Sequence, residues 1–166
     1  MLKLKVFILF LTITSIFCIN IGYADNSELP LLGKVIYIDP GHGGTDPGAI
    51  YKDIHEADIN LSISKKLYDR VLKNGAIVYL TRDGDYDLSV TNAINRKRSD
   101  LSRRANAINS SMCDMYISIH LNAESSSTWH GAQVFYDDVN PENKKIAEIM
   151  QTEFSKVLKT KREYKE

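Results

Sequence analysis

The sequence predicts an α/β domain with a largely parallel or mixed sheet and helices on both faces. Two observations support this fold class. Short apolar runs rich in β-branched residues alternate along the chain with longer segments of helical periodicity. The length of 166 residues suits a single domain of this kind, and the sequence contains no internal repeat.

The first residues have the pattern of an export signal. Residues 1–24 contain two early lysines, a long apolar stretch and a small residue, Ala24, at the end, which is typical of a cleaved signal peptide. An uncleaved membrane anchor is the alternative, because the apolar stretch is close to the lower length limit for a membrane span. Residues 25–33 are expected to be a linker and residues 34–166 the folded domain. We therefore expect an exported, extracytoplasmic protein without an integral membrane domain once the signal is cleaved.

The strands and helices follow from periodicity and turn residues. Four strands are predicted from apolar runs that turn residues interrupt, and three helices from apolar residues that recur every three or four positions. Asn74-Gly75 ends the first helix in the expected way. In chain order the prediction is strand 34–39, loop 45–54, helix 54–73, strand 76–80, loop 83–95, helix 98–109, strands 115–119 and 131–136, and helix 141–158.

The charge and the cysteine content argue against a nucleic-acid partner and against a disulfide within the mature chain. The formal net charge is zero, so bulk electrostatics does not favour a nucleic-acid partner and none is expected. One of the two cysteines, Cys18, lies inside the predicted signal. Cleavage would leave Cys113 alone, so no disulfide is expected within the mature chain.

Two histidines follow the ends of predicted strands. His42 lies in the glycine-rich segment IDPGHGGTDPGAI after the first strand, and His120 closes the third. The carboxyl ends of parallel strands share one edge of a sheet, where ligands bind. Glu56, in the first turn of the helix that the glycine-rich segment leads into, is the candidate third ligand. His42, Glu56 and His120 would form a catalytic zinc set with the fourth position open.

Each of these three residues also has a structural interpretation. The segment Asp53-Ile-His-Glu56 matches a capping box, with Asp53 capping the helix and Glu56 at its third position. His42 could simply bond backbone groups of its turn, and His120 could be a buried structural histidine. Their convergence at one predicted edge favours the metal site.

Five segments resemble, in order and spacing, a zinc-dependent family of cell-wall hydrolases, the amidase-3 type of N-acetylmuramoyl-L-alanine amidases. They are VIYIDPGHGGTDPGA, HEADINLSISKKL, VYLTRDGD, LSRRANAIN and MYISIHLNA. The resemblance extends over residues 34–158. It implies Zn²⁺ held by His42, Glu56 and His120, and hydrolysis of the amide between N-acetylmuramic acid and the L-alanine of the stem peptide. Peptidoglycan is the implied partner, and an accessory protein is a further candidate.

The resemblance reaches other residues as well. Asn122 matches the asparagine of the family's His-x-Asn motif and is the candidate substrate-binding residue, with bracing of its loop as the alternative. Arg82 and Arg104 match family positions and are expected to form structural ion pairs. Residues 125–150, SSSTWHGAQVFYDDVNPENKKIAEIM, look most like the sporulation amidases. This implies a role in spore-cortex maturation, through muramic-lactam formation, and in germination.

One part of the family pattern has no counterpart in this chain. The family uses a glutamate on a late strand as general base, and the resemblance places that residue beyond Glu166, so the domain is expected to be C-terminally incomplete. No residue of this chain is assigned a catalytic role, because Glu124, in a serine-rich loop, is expected to be a solvated acid. The alternative function is a non-catalytic module that binds peptidoglycan or a partner. A phosphate-binding protein is disfavoured, because the glycine-rich turn contains no lysine or arginine.

Overall fold

The computed structural model describes residues 29–121 and 130–166. The predicted signal peptide, residues 25–28 of the predicted linker, Asn122 and Glu124 lie outside the described residues. Within the described ranges, no helix is both long and apolar enough to cross a membrane. The chain divides into two compact units, with the boundary after Leu121.

The first unit contains most of the regular structure. Its elements are β1 (Val35–Pro40), β2 (Ile50–Tyr51), β3 (Ile54–His55), α1 (Glu56–Lys73), β4 (Ile77–Leu80), α2 (Arg96–Ser110) and β5 (Met115–Ile119); the second unit contributes α3 (Pro141–Leu158). The bounds of β5 and α3 are those predicted, and those of β1, β4, α1 and α2 differ by one or two residues.

The three-stranded sheet of the first unit is parallel, as predicted. Its strand order is β4-β1-β5, and Ile38 of β1 lies opposite both Leu80 and Ile117. The carboxyl ends of all three strands therefore share one edge. Together with the helices, this arrangement confirms the α/β fold class.

The apolar core lies between this sheet and α1, which packs against β1 and β4. It consists of Ile36, Ile38, Val71, Ala76 and Val78. The buried face of α1 is less apolar than the sequence pattern indicated. Asn60 and Ser64 have no exposed surface, whereas Ile63, one of the recurring apolar residues that predicted this helix, is 40% exposed.

The start of α1 differs from the prediction. Residues 50–55, expected as loop up to residue 54 and as helix from there, form the small antiparallel hairpin β2–β3. The helix begins at Glu56, with His55 as a cap that makes no side-chain bond. The capping box was therefore wrong. The first helical N–H groups donate to backbone carbonyls instead. Glu56 N donates to Ala49 O at 2.9 Å, and Ala57 N donates to Pro47 O at 3.1 Å. The Glu56 carboxylate is left for other contacts.

In the second unit, residues 131–136 do not form the predicted strand. This segment forms only an isolated bridge between Phe135 and Lys165. The side chain of Gln151 takes up neighbouring backbone groups, since Oε1 accepts from Val134 N at 2.8 Å and Nε2 donates to Ala132 O at 3.2 Å. Backbone that bonds a helix side chain is not available for a ladder.

Candidate metal centre

The three predicted ligands meet at the carboxyl edge of the sheet. His42 follows β1, His120 follows the neighbouring strand β5, and Glu56 opens α1. One ligand atom from each lies within 4.8 Å of the others. Glu56 Oε1 is 3.2 Å from His42 Nε2 and 3.3 Å from His120 Nδ1. The two imidazole rings are nearly perpendicular, with centroids 4.9 Å apart.

The Glu56 carboxylate is buried and held from several sides. Oε2 accepts from Ala49 N at 3.0 Å, and Oε1 accepts from Leu121 N at 2.8 Å and from Asn60 Nδ2 at 3.4 Å. Burial acts to raise the pKa of Glu56, but the hydrogen bonds from Ala49 N and Leu121 N outweigh it and hold this pKa below its usual value. Glu56 is therefore ionised at neutral pH.

The turn that carries His42 has a strained backbone, and two arginine side chains hold it by hydrogen bonds. His42 has a φ of 61°, in the left-handed region that non-glycine residues rarely adopt. Arg104 NH2 donates to His42 O at 2.7 Å and its NH1 to Pro40 O at 2.7 Å. Arg82 adds bonds to Pro40 O at 3.0 Å and Gly41 O at 2.8 Å. Two guanidinium groups thus fix the carbonyls of three consecutive residues.

The two arginines differ in their charge partners. Arg104 forms ion pairs with Asp39 and Asp100, both at 2.8 Å, as expected from the sequence. Arg82 is 1% exposed and, within the described residues, forms no ion pair. It bonds carbonyls instead, including Ala57 O at 2.8 Å and Gly84 O at 3.0 Å. Burial and the nearby Arg104 lower the pKa of Arg82.

A buried carboxylate, Asp39, ties the strands together beneath the site. It accepts from Thr81 Oγ1 after β4 at 2.6 Å, from Ser118 Oγ on β5 at 2.8 Å and from Arg104 NH1 at 2.8 Å. Burial acts to raise the pKa of Asp39, but the bonds from Thr81 and Arg104 lower it overall. Asp39 thereby keeps the ends of all three strands in register below His42 and His120.

Two glycines make room for the ligands. A Cβ at Gly41 would overlap the His120 ring. Gly48 has a φ of +67°, and a Cβ there would lie 2.7 Å from His42 Cδ2 and 2.8 Å from Glu56 Oε2. These two glycines allow the backbone to approach the imidazoles and the carboxylate closely.

Two of the three spacings in the donor set match those of a tetrahedral metal, and all three lie within 4.8 Å. Metal–ligand bonds of about 2.0–2.1 Å place tetrahedral ligand atoms roughly 3.3 Å apart, close to the 3.2 and 3.3 Å from Glu56 Oε1 to the two imidazole nitrogens. Two nitrogens and one carboxylate oxygen suit zinc better than magnesium or calcium, which prefer oxygen. The side chain of His42 is 18% exposed and that of His120 is 47% exposed, so the site opens to solvent on the His120 side.

Three polar residues at the site were not predicted. Asp46 Oδ2 lies 3.0 Å from His42 Nδ1, Asn60 bonds both Gly41 O and Glu56, and Asp39 supports the strand ends. The only sequence signal for them was their position, Asp39 and Asp46 within the glycine-rich segment and Asn60 one helical turn after Glu56. His55 is exposed and lies 3.9 Å from Asp58.

Comparison with known proteins finds one family over nearly the whole described chain. A family model described as N-acetylmuramoyl-L-alanine amidase matches residues 36–166. The chain is 43% identical over 134 residues to the germination-specific N-acetylmuramoyl-L-alanine amidase of Bacillus subtilis, covering 79% of this chain and 56% of that protein. It is 33% identical over 140 residues to the amidase LytC of the same species, covering 83% of this chain and 26% of LytC. The chain thus spans about half or less of the length of these two relatives.

Solved structures show the same similarity. The CwlD amidase from Clostridioides difficile, in complex with the GerS lipoprotein, matches with a TM-score of 0.75 and 36% identity over 80% of this chain and 71% of that one. An N-acetylmuramoyl-L-alanine amidase from Clostridium difficile 630 matches with a TM-score of 0.67 and 31% identity, over 80% and 69%.

Proposed function

The chain belongs to the amidase-3 family of N-acetylmuramoyl-L-alanine amidases, and we propose on that basis that it is a zinc-dependent peptidoglycan hydrolase. Its reaction is hydrolysis of the amide between N-acetylmuramic acid and the L-alanine of the stem peptide. The observation that carries the proposal is the convergence of His42, Glu56 and His120 within 4.8 Å.

His42, Glu56 and His120 would hold the metal. When bound, zinc would polarise the scissile carbonyl and lower the pKa of a water molecule. The chain's own residues supply the preorganised frame. Glu56 is kept ionised by its backbone bonds, and the Arg82 and Arg104 bonds to residues 40–42 keep His42 from moving when substrate arrives.

The substrate would approach on the open side, next to His120. Asn122, two residues after His120 in the chain, is the residue that we propose to contact it. The names of the relatives support peptidoglycan as the substrate and, through the germination-specific amidase, a role in spore-cortex maturation and germination. The CwlD–GerS complex supports an accessory lipoprotein as a partner.

The proposed organisation is the one expected from the sequence. Residues 1–24 act as a signal peptide, residues 25–33 as a linker and residues 34–166 as the catalytic domain. The protein then acts outside the cytoplasm, on the cell wall or the spore cortex.

The test combines metal content with product analysis on the full-length protein. Zinc is measured by atomic emission, and cortex peptidoglycan is analysed by mass spectrometry for muramic acid freed of its peptide and for peptides with a new amino-terminal L-alanine. His120→Ala should lose both zinc and product, with a fall in zinc affinity of more than about 100-fold. The matched control is His55→Ala, which removes an exposed histidine beside Glu56 and should leave both unchanged.

Three results bear on the proposal. Retention of zinc by His120→Ala would show that the ligand assignment is wrong. Zinc and peptidoglycan binding without release of peptide would favour the non-catalytic binding module. Release of peptide that persists after chelation would exclude a metal-dependent reaction.

A further inference from the structure

Asp46 contacts the side of the His42 ring that faces away from the proposed metal. Its Oδ2 lies 3.0 Å from His42 Nδ1, while the other ring nitrogen, Nε2, lies 3.2 Å from Glu56 Oε1. The imidazole of His42 is therefore placed between two carboxylates. A neutral imidazole carries one N–H, and carboxylates only accept hydrogen bonds.

The two carboxylates compete for that proton with opposite consequences. If the proton is on Nε2, it points at Glu56 and removes the lone pair that a metal needs. If the proton is on Nδ1, it is donated to Asp46, and the Nε2 lone pair faces the Glu56 oxygen across the space that a cation would fill. Only the second tautomer leaves His42 ready to bind a metal.

The geometry of Asp46 favours the second tautomer, because its carboxylate is held in place. Oδ1 accepts from Gly48 N at 3.1 Å. The Asp46 backbone is paired with Gly43 in both directions, at 2.8 and 3.2 Å. Lys97 Nζ, the other charged group near Oδ2, is 4.0 Å away and exposed. Glu56 Oε1, in contrast, is shared among Leu121 N, Asn60 and two imidazoles.

We propose that Asp46 is a positioning residue that keeps His42 in the Nδ1–H tautomer and so presents Nε2 to the metal. Hydrogen bonds from metal-binding histidines to carboxylates commonly orient the ring and raise its basicity. The consequence for catalysis rests on the proposed zinc amidase function, whereas the tautomer is a property of the metal-free protein.

The test reads the tautomer and the zinc affinity separately. Long-range ¹H–¹⁵N NMR of the metal-free full-length protein, at mildly alkaline pH, reports which nitrogen of His42 carries the proton. Competition with a chromophoric chelator gives the zinc affinity. In Asp46→Asn, the amide oxygen would keep the bond from Gly48 N, so the amide N–H₂ would face His42 Nδ1. Nδ1 would then have to accept a hydrogen bond, and the ring proton should move toward Nε2. Zinc affinity should fall about 10- to 100-fold, and Asp46→Ala should show a similar fall.

Asp85→Asn is the matched control. Asp85 Oδ1 accepts from Gly44 N at 2.7 Å, so this change weakens the same glycine-rich turn without touching a proposed ligand. Its His42 tautomer and its zinc affinity should equal those of the parent. A fall in zinc affinity with Asp85→Asn as large as with Asp46→Asn would overturn the proposal, because it would show that Asp46 only braces the turn.

Two further results would overturn the inference. One is a parent protein whose metal-free His42 carries its proton on Nε2, a result that needs no variant to fold. The other is an Asp46→Asn protein with zinc affinity within about twofold of the parent. A carboxylate that orients a metal-binding histidine is expected to change the affinity about 10- to 100-fold. An effect of Asp46 on tautomer and affinity without any cleavage of peptidoglycan would contradict only the amidase function. Cleavage that depends on His120, in a protein whose zinc affinity does not depend on Asp46, would contradict only this inference.

Discussion

At the scale of single residues, the site depends on charged side chains buried beneath it. Arg82 and Arg104 are both almost fully buried, but their charges are stabilised by different partners. Arg104 forms ion pairs with Asp39 and Asp100. Arg82 instead donates hydrogen bonds to the backbone carbonyls of Pro40, Gly41, Ala57 and Gly84. A planar fork with several fixed donors is needed for that second arrangement.

Arg82→Lys should therefore be destabilising although it keeps the charge. A lysine ammonium cannot reach four carbonyls in different directions, so we expect a loss of about 2–3 kcal/mol of unfolding free energy. Urea denaturation of the metal-free protein measures it. Arg103→Lys, at an exposed position on α2, is the control and should stay within about 0.5 kcal/mol of the parent. A similarly small change for Arg82→Lys would refute the argument.

Asp87 should make the stability of the fold depend on pH. Hydrogen bonds from the hydroxyl of Ser89 and from the guanidinium of Arg96 hold the pKa of Asp87 well below its usual value. A group whose pKa is lowered by folding stabilises the protein above its unfolded-state pKa of about 4, and this contribution disappears as pH falls toward the folded-state value.

Asp87→Asn should accordingly be less stable than the parent by about 1–3 kcal/mol at neutral pH. The difference should shrink as the pH falls below about 4. Denaturant titrations between neutral pH and about pH 3 compare the two proteins, with Asp138→Asn as an exposed carboxylate for control. A difference that stays constant over this range would mean that Asp87 does not act through its charge.

At the scale of elements, the connection from β1 to α1 builds most of the site. It carries His42 in a left-handed conformation, passes Gly48 against two ligands and ends in the β2–β3 hairpin, whose base is bonded to Glu56 through Ala49. The hairpin and the helix start are therefore coupled, since the same glutamate opens α1 and bonds Ala49, the residue just before β2.

Gly48→Ala should damage the metal site more than it damages the fold. A left-handed alanine costs about 1–2 kcal/mol, and the new Cβ would also press on His42 and Glu56, so zinc affinity should fall by at least about tenfold. Gly33→Ala is the matched control, because Gly33 has a similar φ of +78° with nothing within 4 Å of the added Cβ. Chelator competition and thermal unfolding of both variants measure the two effects. Equal zinc affinities for the two variants would contradict the proposed crowding.

At the scale of the whole molecule, the proposed ligands link separate parts of one unit. His42 follows the central strand, His120 follows its neighbour, and Glu56 begins the helix that covers the core. All three belong to the first unit, which ends at Leu121. A metal bound there would tie these elements together only in the folded state.

Zinc should therefore stabilise the folded protein against heat. At a free concentration 100 times the dissociation constant, the gain is about 2.7 kcal/mol, and removal of zinc with a chelator should lower Tm correspondingly. His120→Ala should show no zinc-dependent change in Tm, whereas His55→Ala should show the full change. An equal zinc-dependent change in His120→Ala would place the bound metal elsewhere.

The sequence predicted the elements better than their connections. Strands and helices with strong periodicity, such as residues 115–119 and 141–158, were found at their exact bounds, because local patterning decides them. The β2–β3 hairpin was missed, since its strands are two residues long and too short to show alternation. The strand expected at residues 131–136 was wrong because Gln151, on a helix that follows in the chain, bonds its backbone.

The sequence by itself determined the α/β order of elements and the identity of the three candidate ligands, because strand-end histidines and a helix-opening glutamate are local features of the chain. Only the tertiary structure decided how they are held. The bonds from Arg82 to Gly41 and from Arg104 to His42 span 41 and 62 residues, and no local pattern encodes contacts at such separations. The contact between Asp46 and His42 is local, four residues apart, but it exists because the left-handed backbone at His42 and the bond from Gly48 turn the two side chains toward each other.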